Sequence, residues 1–403
     1  MKRIVLVILC ALNAMALLAQ SLTSKPLKIE NCPMAELIRT DLSFAAMQYK
    51  VLMKNTPPGL IPRTYDAQKD KVQSTDSRWW CSGFYPGTLW YIFEYTGDTL
   101  IREEASRRLA LLKNEQFNMK DHDLGFKMYC SFGNAYRITQ DTAYKAAIFS
   151  AARSLSARYR PSIRSIQSWD SSANFKCPVI IDNMMNLELL EWVSQNGGDK
   201  GLGIIAVNHA NTTMKNHVRP DYSTYHVVDY DLLTGHVLKK VTWQGAADSS
   251  AWSRGQAWAL YGYTMMYRFT KDSSYLSLAG HIAQFILHHP HLPGDDIPYW
   301  DFDAPGIPNT LRDASAAAVI ASALLELAQY SAEKEKLQYV GASEKILRTL
   351  SSDAYLAMPG TNGGFLLKHS VGALPLKVEV DVPLSYADYY FVEALIRYRN
   401  WYL

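Results

Sequence analysis

Cysteine is scarce in this sequence and follows no ligand pattern: five occur in 403 residues, none spaced C-x-x-C, so a structural zinc site is not expected. Cys10 lies in the leader described below. Cys32, Cys81, Cys130 and Cys177 remain, and in a chain this long buried free thiols are as natural an expectation as disulfides. Neither sign of charge is in excess, with 41 Lys+Arg against 38 Asp+Glu. That excludes a basic surface for nucleic acid or an anionic membrane, and recognition of any anion has to rest on a few placed cations. Long apolar runs are missing except Ile4 to Leu18, which follows Lys2 and Arg3 and precedes small residues ending at Ala19. This run is too short for a membrane span. It reads as a signal peptide over residues 1–20, cleaved near Ala19 or Gln20, with Leu9 unsuited to lipoprotein processing at Cys10. The expectation is a periplasmic or secreted protein whose net charge is near zero once Lys2 and Arg3 are removed. No linker or low-complexity stretch interrupts the rest, so residues 21–403 read as one domain. No G-x-S-x-G elbow, phosphate loop or H-E-x-x-H motif occurs.

Aromatic residues, by contrast, are plentiful: 10 Trp and 25 Tyr exceed what a core of this size needs, and aromatic faces also stack on sugar rings. A recurring punctuation runs through the chain. Thr96-Gly97-Asp98, Thr139-Gln140-Asp141, Gly197-Gly198-Asp199 and Thr270-Lys271-Asp272 each end in an Asp able to cap a following helix. Ile101, Ala105, Leu109 and Leu112 then recur at helical spacing, as do Tyr275, Leu278, Ile282 and Phe285. Two more amphipathic helices begin near Ala35 and Glu333. Between them lie six segments apolar on most faces: 83–95, 124–138, 182–194, 252–269, 312–330 and 383–399. Six outer and six inner helices in alternation predict an all-α (α/α)6 toroid, with strand-like alternation only in short stretches such as Tyr225 to Val241.

The unusual polar residues gather at the starts of the inner segments. Trp79-Trp80, His122-Asp123, Asp182, Arg254, Arg312-Asp313 and Tyr386 stand there, and in a closed ring these starts converge on one mouth. Asp123 and Asp182 hold equivalent positions in their hairpins. Paired carboxylates suit acid/base work on sugars, because burial and mutual repulsion can raise one pKa while the other group stays ionised; the competing reading is simple helix capping. Arg254 could hold a carboxylate bidentately or form a structural ion pair. Trp252 and Trp258 point in different directions on one helix, so one of them is expected in the core. His288, His289 and His291 end an outer helix, where the dipole favours cations, and no metal is expected there.

At these positions the sequence resembles the unsaturated glucuronyl hydrolases, glycoside hydrolase family 88. The matching stretches are Trp80 with Gly83-Phe84-Tyr85-Pro86-Gly87, His122-Asp123-Leu124-Gly125-Phe126, Ile181 to Leu187, Ser250 to Trp258, Pro298 to Phe302 and Tyr386 to Tyr390. The resemblance implies the same toroid and a hydrolase that takes the terminal 4,5-unsaturated uronic acid from lyase-generated oligosaccharides, glycosaminoglycan type favoured. It implies Asp182 as the group that protonates C4 and then deprotonates the water adding at C5. Asp123 would hold ring hydroxyls and keep Asp182 protonated. His122, Trp80, His226, Thr242, Gln244, Arg254, Trp258 and Ser370 would bind substrate, and no cofactor is implied. Tyr85 stands where Trp is common, Trp243 replaces a frequent His, and the loop Lys368-His369-Ser370 is unlike the serine- and lysine-bearing loop some members use for sulfated sugars. The sister unsaturated rhamnogalacturonyl hydrolases, acting on pectin- or ulvan-type products, share the fold and are the rival reading. A non-catalytic toroid binding acidic sugars is another, though ionised carboxylates in its pocket would repel such a ligand.

Overall fold

The computed structural model describes residues 32–403, and the expected signal peptide with Cys10 lies outside the described residues. The helices, in chain order, are α1 (Met34–Asn55), α2 (Phe84–Thr96), α3 (Thr99–Leu112), α4 (Asn134–Thr139), α5 (Thr142–Ser156), α6 (Asn183–Gln195), α7 (Gly201–His217), α8 (Ser253–Thr270), α9 (Ser273–Leu287), α10 (Ala314–Ala328), α11 (Glu333–Leu350) and α12 (Ser385–Tyr402). A π-helical stretch, Gly125–Gly133, leads directly into α4. Odd-numbered helices are outer and even-numbered ones inner, the alternation the hairpin punctuation predicts. Asp98, Asp141 and Asp272 cap α3, α5 and α9 through side-chain bonds to the backbone N–H two residues on, each satisfying one of the orphan donors at a helix start.

The difference between the two rings is one of exposure. Every residue of α10 is buried, whereas α11 buries only Tyr339, Ser343, Ile346, Leu347 and Leu350, a single stripe. The last inner helix packs on the first: Phe84 lies 5.2 Å from Tyr389, and Tyr91 donates to Glu393 at 2.9 Å. This contact closes the toroid. One continuous apolar core runs from Cys32 to Tyr398, and Cys32, Cys81, Cys130 and Cys177 are free thiols.

More strand is present than alternation in the sequence announces. Short strands β1 (Ile61–Asp66), β2 (Lys71–Thr75), β3 (Tyr159–Arg160), β4 (Ser165–Ile166), β5 (Pro178–Ile180), β6 (Val227–Tyr230), β7 (Val237–Val241), β8 (Ser370–Ala373) and β9 (Val378–Val382) form four small antiparallel sheets. In the three-stranded sheet the order is β5-β6-β7, with Ile180 opposite Val227 and Val227 opposite Val241. Most of these strands are two to six residues long, too short for a period of two to register. Of these, β5, β8 and β9 stand beside the inner-helix starts and wall the mouth of the ring.

Candidate active site

At that mouth lies a cavity of about 280 Å³. Of the residues singled out in the sequence, Trp79, Trp80, His122, Asp123, Asp182, Trp243, Gln244, Arg254 and Tyr386 line it. Asp182 is the N-cap residue of α6, yet its side chain makes no capping bond. Its Oδ2 is buried without a hydrogen-bond partner, and burial, with Asp123 nearby and against the pull of Arg254, pushes its carboxyl up to about 7. Asp123 is held well above the usual carboxylate range by burial and then by the charge of Asp121. Asp121 is in turn paired with the buried ammonium of Lys127, which also donates to Arg78 O at 2.6 Å. Ligand atoms of Asp121, His122 and Asp123 lie within 4.8 Å of one another, and of these Asp121 is already paired with the Lys127 ammonium.

The two buried histidines have assignable tautomers. His226 Nδ1 accepts from the backbone N–H of Trp243 at 3.1 Å and of Gln244 at 3.2 Å, so the ring proton sits on Nε2, which is 3.7 Å from Asp182 Oδ2. Burial and the nearby Arg254 hold its pKa down at about 3, and the ring is neutral. Asn183 donates its amide to Ile166 O at 2.8 Å, so its Oδ1 accepts from His122 Nδ1–H. That leaves the Nε2 lone pair of His122 facing Asp123 Oδ2 at 3.4 Å, and burial keeps this ring neutral too. A protonated Asp123 can therefore donate to His122.

Close backbone approach brings the two carboxyls together. Phe126 N–H donates to Asn186 Oδ1 at 3.0 Å, joining the segment after Asp123 to the first turn of α6. Gly125 permits the contact, since a Cβ there would stand 2.5 Å from Asn186 Cα. The π-helical turn that follows widens the backbone beside the pocket, a geometry often found at functional sites.

Arg254 meets the cavity differently from the bidentate clamp considered above. Its Nη1 bonds Asp313 at 3.0 Å and also reaches Val371 O, while its Nη2 bonds Gln244 Oε1 at 2.8 Å and Gly372 O at 2.5 Å. The terminal fork is thus spent on protein partners, and the guanidinium lies over the rings of Trp252 and Tyr386. Four other expected substrate contacts fall outside the lining among the described residues: His226, whose Nε2 stands 3.7 Å from Asp182 Oδ2, and three more. Trp258 is fully buried against Phe126 and Tyr390 as core. Thr242 turns its Oγ1 back to accept from Gly245 N–H at 2.8 Å. Ser370 is buried at the start of β8. In their place the cavity gains Trp169, Leu376 and Glu379, which the sequence did not mark. Trp79 Nε1 and Tyr386 Oη are buried without hydrogen-bond partners. Trp79 and Tyr386 share the inner-helix-start position that marked the others, whereas Trp169 and Leu376 come from loops that carry no periodic signal.

No family model matches the chain. The unsaturated glucuronyl hydrolase of Formosa agariphila is 46% identical over 350 residues, covering 86% of this chain and 87% of that protein. The chain belongs to the unsaturated glucuronyl hydrolases. An unsaturated glucuronyl hydrolase described as specific for heparin superposes with a TM-score of 0.87 at 48% identity, over 91% of this chain and 97% of its own. An aspartate-to-asparagine mutant of the Streptococcus agalactiae unsaturated glucuronyl hydrolase, complexed with dGlcA-GalNAc6S, superposes at 0.77 with 30% identity over 95% of each chain. This protein is accordingly a glycoside hydrolase with the six-hairpin toroid of those structures, and the cavity at the inner-helix starts is the candidate active site of an unsaturated glucuronyl hydrolase.

Proposed function

We propose that the protein removes the terminal 4,5-unsaturated uronic acid from lyase-generated oligosaccharides by hydrating its enol ether, with Asp182 as the acid and then the base. The observation that carries this is the uncapped Asp182, whose buried Oδ2 has no hydrogen-bond partner and whose carboxyl is raised to about 7, so that a proton is held there near neutral pH. Delivery of that proton to C4 leaves positive charge shared between C5 and the ring oxygen. The Asp182 carboxylate then takes a proton from water as the water oxygen bonds to C5. The resulting hemiketal opens, and the hemiacetal exposed at C1 expels the partner sugar. The neutral His226, with Nε2–H toward Asp182, can hold the carboxylate between the two steps. Asp123, protonated against His122, bonds ring hydroxyls and adds no second negative charge. The rings of Trp79 and Tyr386 line the cavity beside them and offer aromatic surface to the sugar.

Glycosaminoglycan-derived disaccharides are the favoured substrates, supported by the heparin-specific and dGlcA-GalNAc6S-bound relatives. Export through the signal peptide read at residues 1–20 is consistent with acting on oligosaccharides outside the cytoplasm. The test follows the ultraviolet absorbance of the conjugated C4=C5 bond in unsaturated disaccharides. Wild type removes it, and Asp182→Asn slows the loss by at least about 10³-fold while melting like the wild type. A wild type that leaves every disaccharide untouched, or an Asp182→Asn variant that retains activity, refutes the reading.

A further inference from the structure

The three histidines at the end of α9, expected from the sequence to serve only the helix dipole, part company in the fold. His288 stays with the helix, its Nδ1 against Gln284 O at 3.2 Å and its Nε2 3.4 Å from Gln338. His289 and His291 turn instead toward Asp303, and one ligand atom of each of the three lies within 4.8 Å of the other two. His291 Nδ1 donates to Phe302 O at 2.7 Å, which fixes the tautomer and leaves the Nε2 lone pair free. Metal-binding imidazoles are oriented in just this way. Asp303 accepts from Ala251 N–H at 3.0 Å through one oxygen only, so its second oxygen is available. The His289 ring is steadied by Phe285 at 5.1 Å and Phe302 at 4.7 Å; its Nδ1 accepts from the backbone N–H of His291 at 3.2 Å, and a cation would take that lone pair in place of the N–H.

From this convergence we propose that His289, His291 and Asp303 form a binding site for a divalent cation of the zinc class. Two imidazoles and a carboxylate suit such an ion, with water filling the rest of its shell. Ligand atoms in a tetrahedral shell stand about 3.3 Å apart, and the exposed His291 and Asp303 side chains have room to close that distance. The site lies outside the catalytic cavity but is joined to its wall. Two residues before Asp303, Asp301 accepts from Ala246 N–H at 2.9 Å and Ser250 Oγ at 2.7 Å, anchoring the loop that carries Trp243 and Gln244. A bound cation therefore ties the end of α9 to the strap 301–303 and braces that loop.

The experiment is calorimetric titration of the chelator-stripped, mature protein with zinc, together with melting curves. Expected are one equivalent bound with a Kd on the order of 10 µM and a melting temperature raised by about 2 °C at saturation. His291→Ala and Asp303→Asn each weaken binding at least tenfold, and His288→Ala leaves it unchanged. Should Asp303→Asn loosen the strap, the exposed His291→Ala still decides. No binding below about 1 mM, undiminished binding in His291→Ala, or loss in His288→Ala overturns the proposal.

Discussion

Five aspartates occupy N-cap positions in this fold, and the side-chain oxygens of four of them, Asp98, Asp141, Asp272 and Asp313, accept from the second backbone N–H of the helix that follows. Asp182 does not. The local sequence is the same kind of helix start, yet burial in the ring mouth and a separate set of neighbours convert a cap into a proton donor. The consequence is a pH dependence with a defined sign. Asp182 must enter the reaction protonated, so kcat/KM falls as pH rises through its pKa, and the descending limb lies near 7. Rates on an unsaturated disaccharide across pH 5 to 9, in roughly half-unit steps, check this; a limb near 4, the ordinary carboxyl value, removes Asp182 from the role of acid. Arg254 shows the reverse lesson. Its position at the mouth was legible in the chain, but its commitment to Asp313, Gln244 and two carbonyls depends on β8, over a hundred residues away in sequence, which no local pattern reveals.

Among the elements, the joint between the π-helical stretch and α6 sets the distance between the two carboxyl-bearing segments. Gly125→Ala drives a Cβ to within 2.5 Å of Asn186 Cα, backbone against backbone. The expected cost is about 1–3 kcal/mol of stability, accompanied by a fall in kcat/KM as the Phe126 N–H to Asn186 bond is pulled apart. Denaturant titration and the absorbance assay measure the two effects separately, and unchanged values in both exclude the joint as a positioning device. The helices themselves were readable. Capping aspartates and stripes of apolar residues give the outer ring, and all-round burial gives the inner one. The walls of the cavity were not, because β5 and β8 are three and four residues long, because Glu379 is placed by the pairing of β9 with β8, and because Trp169 reaches the pocket from a loop and Leu376 from the short turn between β8 and β9. Trp258 illustrates the limit within a helix: helical spacing separates it from Trp252 but does not say which of the two faces the core, and packing against Phe126 and Tyr390 makes it Trp258.

Across the whole molecule, 41 basic and 38 acidic residues nearly balance, and the cavity follows suit: Arg254, already paired, is the cation in its lining beside Asp123, Asp182 and Glu379. A sulfate group on the partner sugar therefore meets no free positive charge among these residues. Unsulfated disaccharides are expected to react with kcat/KM about tenfold or more above their sulfated counterparts, measured on matched pairs differing only in the sulfate; equal rates contradict the prediction. How such a site attracts an anionic uronate at all is answered by the ring's architecture. The inner helices α2, α6, α8 and α12 and the π-helical stretch that leads into α4 begin at this mouth, so the positive ends of their macrodipoles face it, each acting like a fraction of a positive charge over its first turn. The toroid is in that sense a lens for negative charge, drawing in a carboxylate with aligned peptide groups rather than with basic side chains.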